Sequence, residues 1–432
     1  DYNSMYTLVQ DFRNSTIFDF RKTSSLQPKL VTSSNDSVLT ATANADAANV
    51  SHAVKVSQLA DGVKLSSGSA INGSGTLVSQ FGYAEGSTLD FKINGQAVSV
   101  KITDTTSLYD VVSAINKTDA KVKASYDSTL DRFFLYSNKT GSEAQVDFGG
   151  SSADGLDFIF NKLKLGTVTK QGMVSNSPLG PDAATKTLGE GFGISGNFTI
   201  NVTTASGSHD ISVDGSRNLS AIIGDINDSV GSEIASYDAE TQKLTLKATE
   251  GSGAFSISSK DAAGQDFLIN QLKLTSYGQD AKINIDGVDV TQASNNFTIS
   301  GVTYNLKSVS TAPTNISIQA DIDKTIANVK AFVENYNTMI KAVNSELNED
   351  KYRDFLPLTD AQKADMKDSD IDTWQTKAHS GLLRSDSILT ELMNNMRSAF
   401  SSPVSGLAGD YRSASSIGIT TGKYIDEDGN IT

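Results

Sequence analysis

The tetrapeptide ASYD occurs at Ala124–Asp127 and again at Ala235–Asp238, 111 positions apart. Its surroundings return with it. Upstream of the first copy, LDFKINGQAVSVKI (Leu89–Ile102) alternates apolar and polar residues about Asn94–Gly95. That is the pattern of a hairpin closed by a tight turn. TTSLYDVVSAIN (Thr105–Asn116) then changes period. Leu108, Val111, Val112 and Ile115 fall on one face of a short helix, with Ser107 as its N-cap. KVKASYD (Lys121–Asp127) reads as a strand, and RFFLYSNKTGS (Arg132–Ser142) as its hairpin partner.

The second copy follows the same order. FTINVTTASGSHDISVDG (Phe198–Gly215) is an extended pair, RNLSAIIGDIN (Arg217–Asn227) a short helix, and IASYDAETQKLTLKATEGSG (Ile234–Gly253) a hairpin. Leu108 and Leu219, Asn116 and Asn227, and Tyr126 and Tyr237 keep the 111-residue spacing. DFIFNKLKL (Asp157–Leu165) and DFLINQLKL (Asp266–Leu274) close the two units, 109 apart. The spacing predicts a duplicated β-β-α-β-β module whose helix covers a sheet face. The tyrosine of ASYD reads as a packing residue and the aspartate as a shaper of the hairpin turn. Ala281–Ser310 reads as a meander of three or four strands, and Thr314–Asp321 as one more.

At Asp321 the period changes. Ile322, Ile326, Val329, Val333, Tyr336, Ile340 and Val343 step by fours and threes, which specifies a long helix with a coiled-coil-like seam. Phe332 and Met339 widen the stripe. Partner helices are predicted in Ser4–Phe12 (Met5, Leu8, Val9, Phe12), in Asp368–Gly381 (Ile371, Trp374) and in Ser385–Ser402. The last has Ser385 as its cap, a stripe of Leu389, Leu392, Met393, Met396 and Phe400, and Pro403 as its stop. Ser37–Ala60 supplies strands that attach to this helical part. The fold class is therefore α+β multidomain: a helical stalk formed by both chain ends, with β-rich heads inserted between them. The division is 1–65 and 313–432 for the stalk, 66–180 for the first module and 181–312 for the second. Val329, Val333, Tyr336 and Ile340 are the candidates for its core packing.

Composition limits the chemistry. The 432 residues are enough for several cores. They include 34 glycines but 6 prolines, fitting strands joined by tight turns. A net charge of −14 disfavours nucleic acid and anionic membranes as partners. The absence of cysteine excludes disulfides, thiolate catalysis and cysteine-ligated metals. No apolar run approaches the ~20 residues of a membrane span. The start at Asp1, without a signal peptide, reads as a fragment or a processed product.

No catalytic or cofactor site is predicted. His52, His209 and His379 have no ligand spacing. HExxH, GxSxG and phosphate-loop patterns are absent. DEDGN (Asp426–Asn430) has oxygen-rich residues but not the twelve-residue calcium loop; it reads as a polar turn. FGGSSADG (Phe148–Gly155) lacks a dinucleotide fingerprint. In LLRSDS (Leu382–Ser387), Arg384 and Asp386 flank a helix start and are candidates for fixing a turn or an intersubunit contact.

VKAFVENYNTMI (Val329–Ile340), DFLPLTDAQKADM (Asp354–Met366) and SGLLRSDSIL (Ser380–Leu389) closely resemble the flagellar hook-associated protein 2 family, the bacterial filament-cap proteins. Ser37–Ala60 resembles the amino-terminal region of that family. The two module segments resemble short units shared by hook-associated proteins and flagellins. The resemblance implies a helical leg and a β-rich plate, assembled as a homo-oligomeric closed ring at the distal tip of the flagellar filament, outside the cell. It implies flagellin and the hook-filament junction proteins as partners, a host surface ligand for members that adhere, and no cofactor or catalysis. It further implies that helical segments extend the leg past Asp1 and Thr432. Gly166–Gly191 and Ser308–Pro313 read as linkers through which plate and legs would shift. The rival readings are a solitary surface adhesin and an extracellular carbohydrate-active enzyme. The first requires a monomer, the second a pair of carboxylates in a cleft.

Overall fold

The computed structural model describes residues 2–166, 172–204, 207–247, 256–420 and 430–431. It is a mixed helix and sheet structure of several bodies.

In the first ASYD region, strands Thr88–Ile93 and Gln96–Lys101 form a hairpin. Asn94 (φ 50°) and Gly95 (φ 76°) take the left-handed conformation that its two-residue turn requires. Helix Leu108–Lys117 follows, with Leu108, Val111 and Ile115 buried. Ser107 caps it: Asp110 Oδ2 accepts from the Ser107 N–H at 2.8 Å and from its hydroxyl at 2.9 Å. Strands Val122–Asp127 and Arg132–Ser137 complete the region. In the second region the hairpin is Phe198–Thr204 with Gly207–Val213, the helix Leu219–Val230, and the final pair Ala235–Asp238 with Lys243–Leu246.

Each ASYD strand is the edge of its sheet. An exposed edge carries unpaired backbone groups, and here an asparagine amide meets them. Asn116 donates to the Ala124 carbonyl at 2.9 Å and accepts from its N–H at 2.8 Å. Asn227 treats Ala235 in the same way, at 2.9 and 2.8 Å. Buried serines act as internal ties. Ser67 Oγ donates to Leu163 at 2.7 Å and accepts from the Phe133 N–H at 2.9 Å. Ser175 Oγ donates to Leu272 at 2.8 Å and accepts from the Leu244 N–H at 3.2 Å. The ASYD aspartates shape their turns, Asp127 accepting from Thr129 N–H and Asp238 from Glu240 N–H, both at 2.8 Å. Tyr126 is buried and donates to Asp131 at 2.8 Å. Burial and that carboxylate push the phenol up to about 12.

One hydrophobic core runs through both regions, from Val63 to Leu274, around Phe133, Phe158 and Phe267. Phe158–Lys162 and Phe267–Gln271 are π-helical turns that bury these rings.

A second core is a sandwich. Its five-stranded sheet has the order Lys29–Ser33, Thr314–Ala320, Ser51–Gln58, Ala281–Ile285, Val288–Gln292; the facing sheet is Leu39–Ala43, Val302–Leu306, Asn296–Ile299. Leu39, Val54, Val56, Tyr304, Ile316 and Ile318 fill it. This corrects the grouping of 281–312 with the second module. Those strands alternate apolar residues such as Ile283 and Tyr304 that pack on Val54, Val56 and Leu39, so they join the amino-terminal strands instead.

The remaining body is helical. Helix Tyr2–Asp11 continues as a π-helical turn, Phe12–Ile17, and then Phe18–Phe20. It packs against the 27-residue helix Ile322–Asn348, which Asp321 caps by accepting from the Lys324 N–H at 2.7 Å. Helix Ser387–Ser401 closes the bundle. Its cap is Asp386, not Ser385: Ser385 lies at φ 56°, while the Asp386 carboxylate accepts from Ile388 and Leu389 N–H at 2.9 and 3.0 Å.

Candidate functional site

The sequence directs attention to the bundle, and the structure separates its six candidate residues into three places. Tyr336 and Ile340 lie in the bundle core with Phe12 and Met339. Phe400 and Phe12 pack edge-on to the Tyr336 ring, at 4.8 and 6.2 Å between centroids. Val333 is partly buried against the same core. Burial raises the Tyr336 phenol above its ordinary value, and its hydroxyl has no hydrogen-bond partner among the described residues.

Val329 stands apart. It lines an apolar groove of about 450 Å³ with Ile326, Val333, Ile417 and Ile419. The expected seam is thus covered along only part of its length. Helices Tyr2–Asp11 and Ser387–Ser401 bury it from Tyr336 to Val343, whereas Ile322 is 67% and Ile326 48% exposed.

Arg384 and Asp386 share a turn at the far end of the bundle. Arg384 Nη1 donates to the Glu349 carbonyl at 3.0 Å and pairs with Asp350 at 3.3 Å. The Gly381 N–H donates to Glu349 Oε2 at 2.7 Å, and the Ser385 N–H to the Leu347 carbonyl at 3.1 Å. Gly381 has φ 70°, and a Cβ there would stand 2.8 Å from Lys351 Cα. The turn therefore needs glycine to reach the end of the long helix. Asp386 also accepts from the Tyr2 hydroxyl. That bond, with the two helix N–H groups, holds its carboxyl below the ordinary carboxylate range and raises the Tyr2 phenol. One carboxylate thus ties the first helix to the last. Sequence reasoning found Asp386 but missed Tyr2 and Glu349, since no spacing links residues so far apart in the chain.

Of the histidines, His52 Nδ1 lies 2.6 Å from Asp286 Oδ2 at the sandwich, and His209 and His379 lie elsewhere in the fold. Among the described residues, no group of three or more His, Asp or Glu is placed to hold a metal ion, and no helix is long and apolar enough to cross a membrane. Asp426–Gly429 of the DEDGN stretch lie outside the described residues.

Both chain ends match known family profiles. Residues 1–62 match the flagellar hook-associated protein 2 N-terminus and residues 278–432 its C-terminus; residues 88–139 match the flagellin hook IN motif. The chain belongs to the flagellar hook-associated protein 2 family. A hook-associated protein 2 of Halalkalibacterium halodurans is 31% identical over 246 residues, 52% of this chain and 46% of that protein. The chain's match thus spans less than half of this relative. One of Thermotoga maritima is 24% identical over 440 residues, 98% of this chain and 69% of that protein. Among solved structures, the D1-D2-D3 domains of the flagellar cap protein FliD from Escherichia coli align at 17% identity with a TM-score of 0.49, covering all of this chain and 83% of that one. FliD from Pseudomonas aeruginosa aligns at 17% identity with a TM-score of 0.33, covering 73% of this chain and 99% of that one.

Proposed function

We propose that this hook-associated protein 2 chain caps the distal tip of the flagellar filament, outside the cell, as a homo-oligomeric closed ring that promotes insertion of flagellin. The observation that carries this reading is the position of the family matches. The two profiles fall on residues 1–62 and 278–432, the segments that fold together into the sandwich and the bundle. The role is structural and non-catalytic.

The bundle serves as the leg, with Tyr336, Ile340 and Val333 in its packing and Val329 on its open side. Arg384 and Asp386 set leg geometry by fixing the turn against the long helix. The regions 66–166 and 172–277 serve as a head built from two copies of one unit. The repeated asparagine ties at Ala124 and Ala235, and the serine ties at Ser67 and Ser175, support that duplication. A closed ring that is out of step with the helical filament leaves one unequal gap beneath it. An incoming subunit folding there moves the cap by one step, driven by binding and folding free energy alone.

The test is filament growth. Purified full chain, added to bacteria that export flagellin but lack their own cap, is expected to restore elongation. Flagellin lost to the medium, with the chain bound at no filament tip, contradicts the reading.

A further inference from the structure

The chain passes between the sandwich and the head twice. It leaves through Leu59–Val63, after strand Ser51–Gln58, and returns through Gly278–Asp280, before strand Ala281–Ile285. Bodies joined only by chain crossings ordinarily move against each other. Here the crossings are not independent tethers. The two strands pair within the sandwich, with Gln58 opposite Lys282. The pairing resumes between the bodies: the Asp61 N–H donates to the Gln279 carbonyl and the Gln279 N–H to the Asp61 carbonyl, both at 2.9 Å. Gln279 Nε2 adds a bond to the Leu59 carbonyl at 3.0 Å.

A head loop grips this ribbon. Residues 138–144 follow the head strand Arg132–Ser137. The Gly141 N–H donates to the Asp61 carbonyl at 3.1 Å, and the Ala144 carbonyl accepts from the Gly278 N–H at 2.8 Å. Asp280 Oδ1 accepts from the Ser142 N–H and Oδ2 from its hydroxyl, both at 2.7 Å. The Thr140 hydroxyl donates to the Ala293 carbonyl at 2.7 Å, just past the sandwich strand Val288–Gln292. Two residues on, Asn295 Oδ1 accepts from the Ala60 N–H at 2.7 Å and Nδ2 donates to its carbonyl at 2.8 Å. The approach leaves no room for side chains. A Cβ at Gly278 would stand 2.5 Å from the Gly141 carbonyl oxygen, and one at Gly141 would stand 2.7 Å from Ala293 Cβ.

The loop is thus bonded to the outgoing strand, to the returning strand and to the turn after Gln292. Tilting the head away from the sandwich stretches bonds at all three. Ser308–Pro313, which reads as a linker in the sequence, adds no play. The Ser308 and Ser310 N–H groups donate to the Val38 and Val56 carbonyls at 3.1 and 2.8 Å, within the sandwich.

We propose that the head and the sandwich are one rigid arm, locked by this clasp, so that a push or a twist on one end is delivered to the other. The inference does not depend on the ring reading above.

The chain has no cysteine, so introduced cysteines carry spin labels at chosen sites only. Lys123→Cys in the head with Val288→Cys in the sandwich reports the joint. Lys123→Cys with Asp228→Cys reports the head alone; all three positions are exposed. Double electron–electron resonance on the full chain in dilute solution is expected to give distance distributions of equal width for the two pairs. Thr140→Val with Asp280→Ala removes the three bonds that these side chains make. It is expected to widen the joint distribution about twofold and leave the head distribution unchanged. A joint distribution already about twice as wide as the head distribution, with the clasp intact, overturns the rigid arm. That comparison needs no clasp variant, so it decides the matter even where the double variant misfolds. An unchanged joint width in a folded double variant overturns the clasp as the lock, and the proposal with it.

Discussion

The head and the leg dispose of their apolar residues differently. In the head, each amphipathic helix covers its sheets, and the interior from Val63 to Leu274 is one closed core. Even the edge strands are finished, by Asn116 and Asn227. In the leg, a single stripe on one helix is buried at Tyr336, Ile340 and Val343 and left open at Ile322 and Ile326. A closed core stabilises the chain that contains it. An open seam stabilises whatever packs on it. The two bodies therefore differ in how much of their apolar surface the described residues close.

The contrast is broken most directly by truncation. Phe158→Ala and Phe267→Ala remove rings that are fully buried in the head. Each is expected to cost about 3–5 kcal/mol in a denaturant titration. Ile322→Ser, on the open seam, is expected to change monomer stability by less than about 0.5 kcal/mol. Comparable losses at the two places would end the distinction between closed and open.

The edge ties come next. Asn116→Ala leaves the Ala124 N–H and carbonyl without the amide, with an expected loss of about 1–3 kcal/mol and faster amide exchange at Ala124. Asn227→Ala should do the same at Ala235. An effect confined to one of the two strands would show that the two edges are finished by different means.

The third test concerns acid. The folded Asp386 carboxyl lies below its unfolded value because of Tyr2 and two helix N–H groups. Its stabilisation is complete above the ordinary aspartate range near pH 4 and is lost as pH falls through the folded value. Asp386→Asn keeps an acceptor that does not titrate in this range. Thermal melts at pH 7 and pH 3 should then show a smaller acid loss in the variant than in the wild type. Equal losses would remove Asp386 as the tie between first and last helices.

The smallest effect is expected at Tyr336→Phe. The hydroxyl is buried and lacks a partner among the described residues, so its removal should be neutral or slightly stabilising in the same melts. A clear loss would reveal a partner for that hydroxyl.

Local pattern made much of this fold legible. Asn94–Gly95 announced a two-residue turn, and the period change at Thr105 located a helix that buries Leu108, Val111 and Ile115. The long helix from Ile322 was readable from its spacing. What stayed hidden depends on distance along the chain. Ala281–Leu306 pairs with Leu39–Gln58 across more than two hundred residues, and strand periodicity does not say which sheet a strand joins. A seam likewise shows its stripe but not how far its partners reach, so Ile322 and Ile326 looked the same as Ile340. At the helix start, both Ser385 and Asp386 had capping chemistry; backbone geometry decided for Asp386. The groove also draws on Ile417 and Ile419, in a short polar stretch with no apolar period of its own.

Hydrogen–deuterium exchange of the full chain in dilute solution tests most directly the contrast between the closed core and the partly open seam. Slow exchange is expected at 336–343 and in strands 122–127 and 235–238, and faster exchange at 322–326. Exchange at 322–326 as slow as at 336–343 would contradict it.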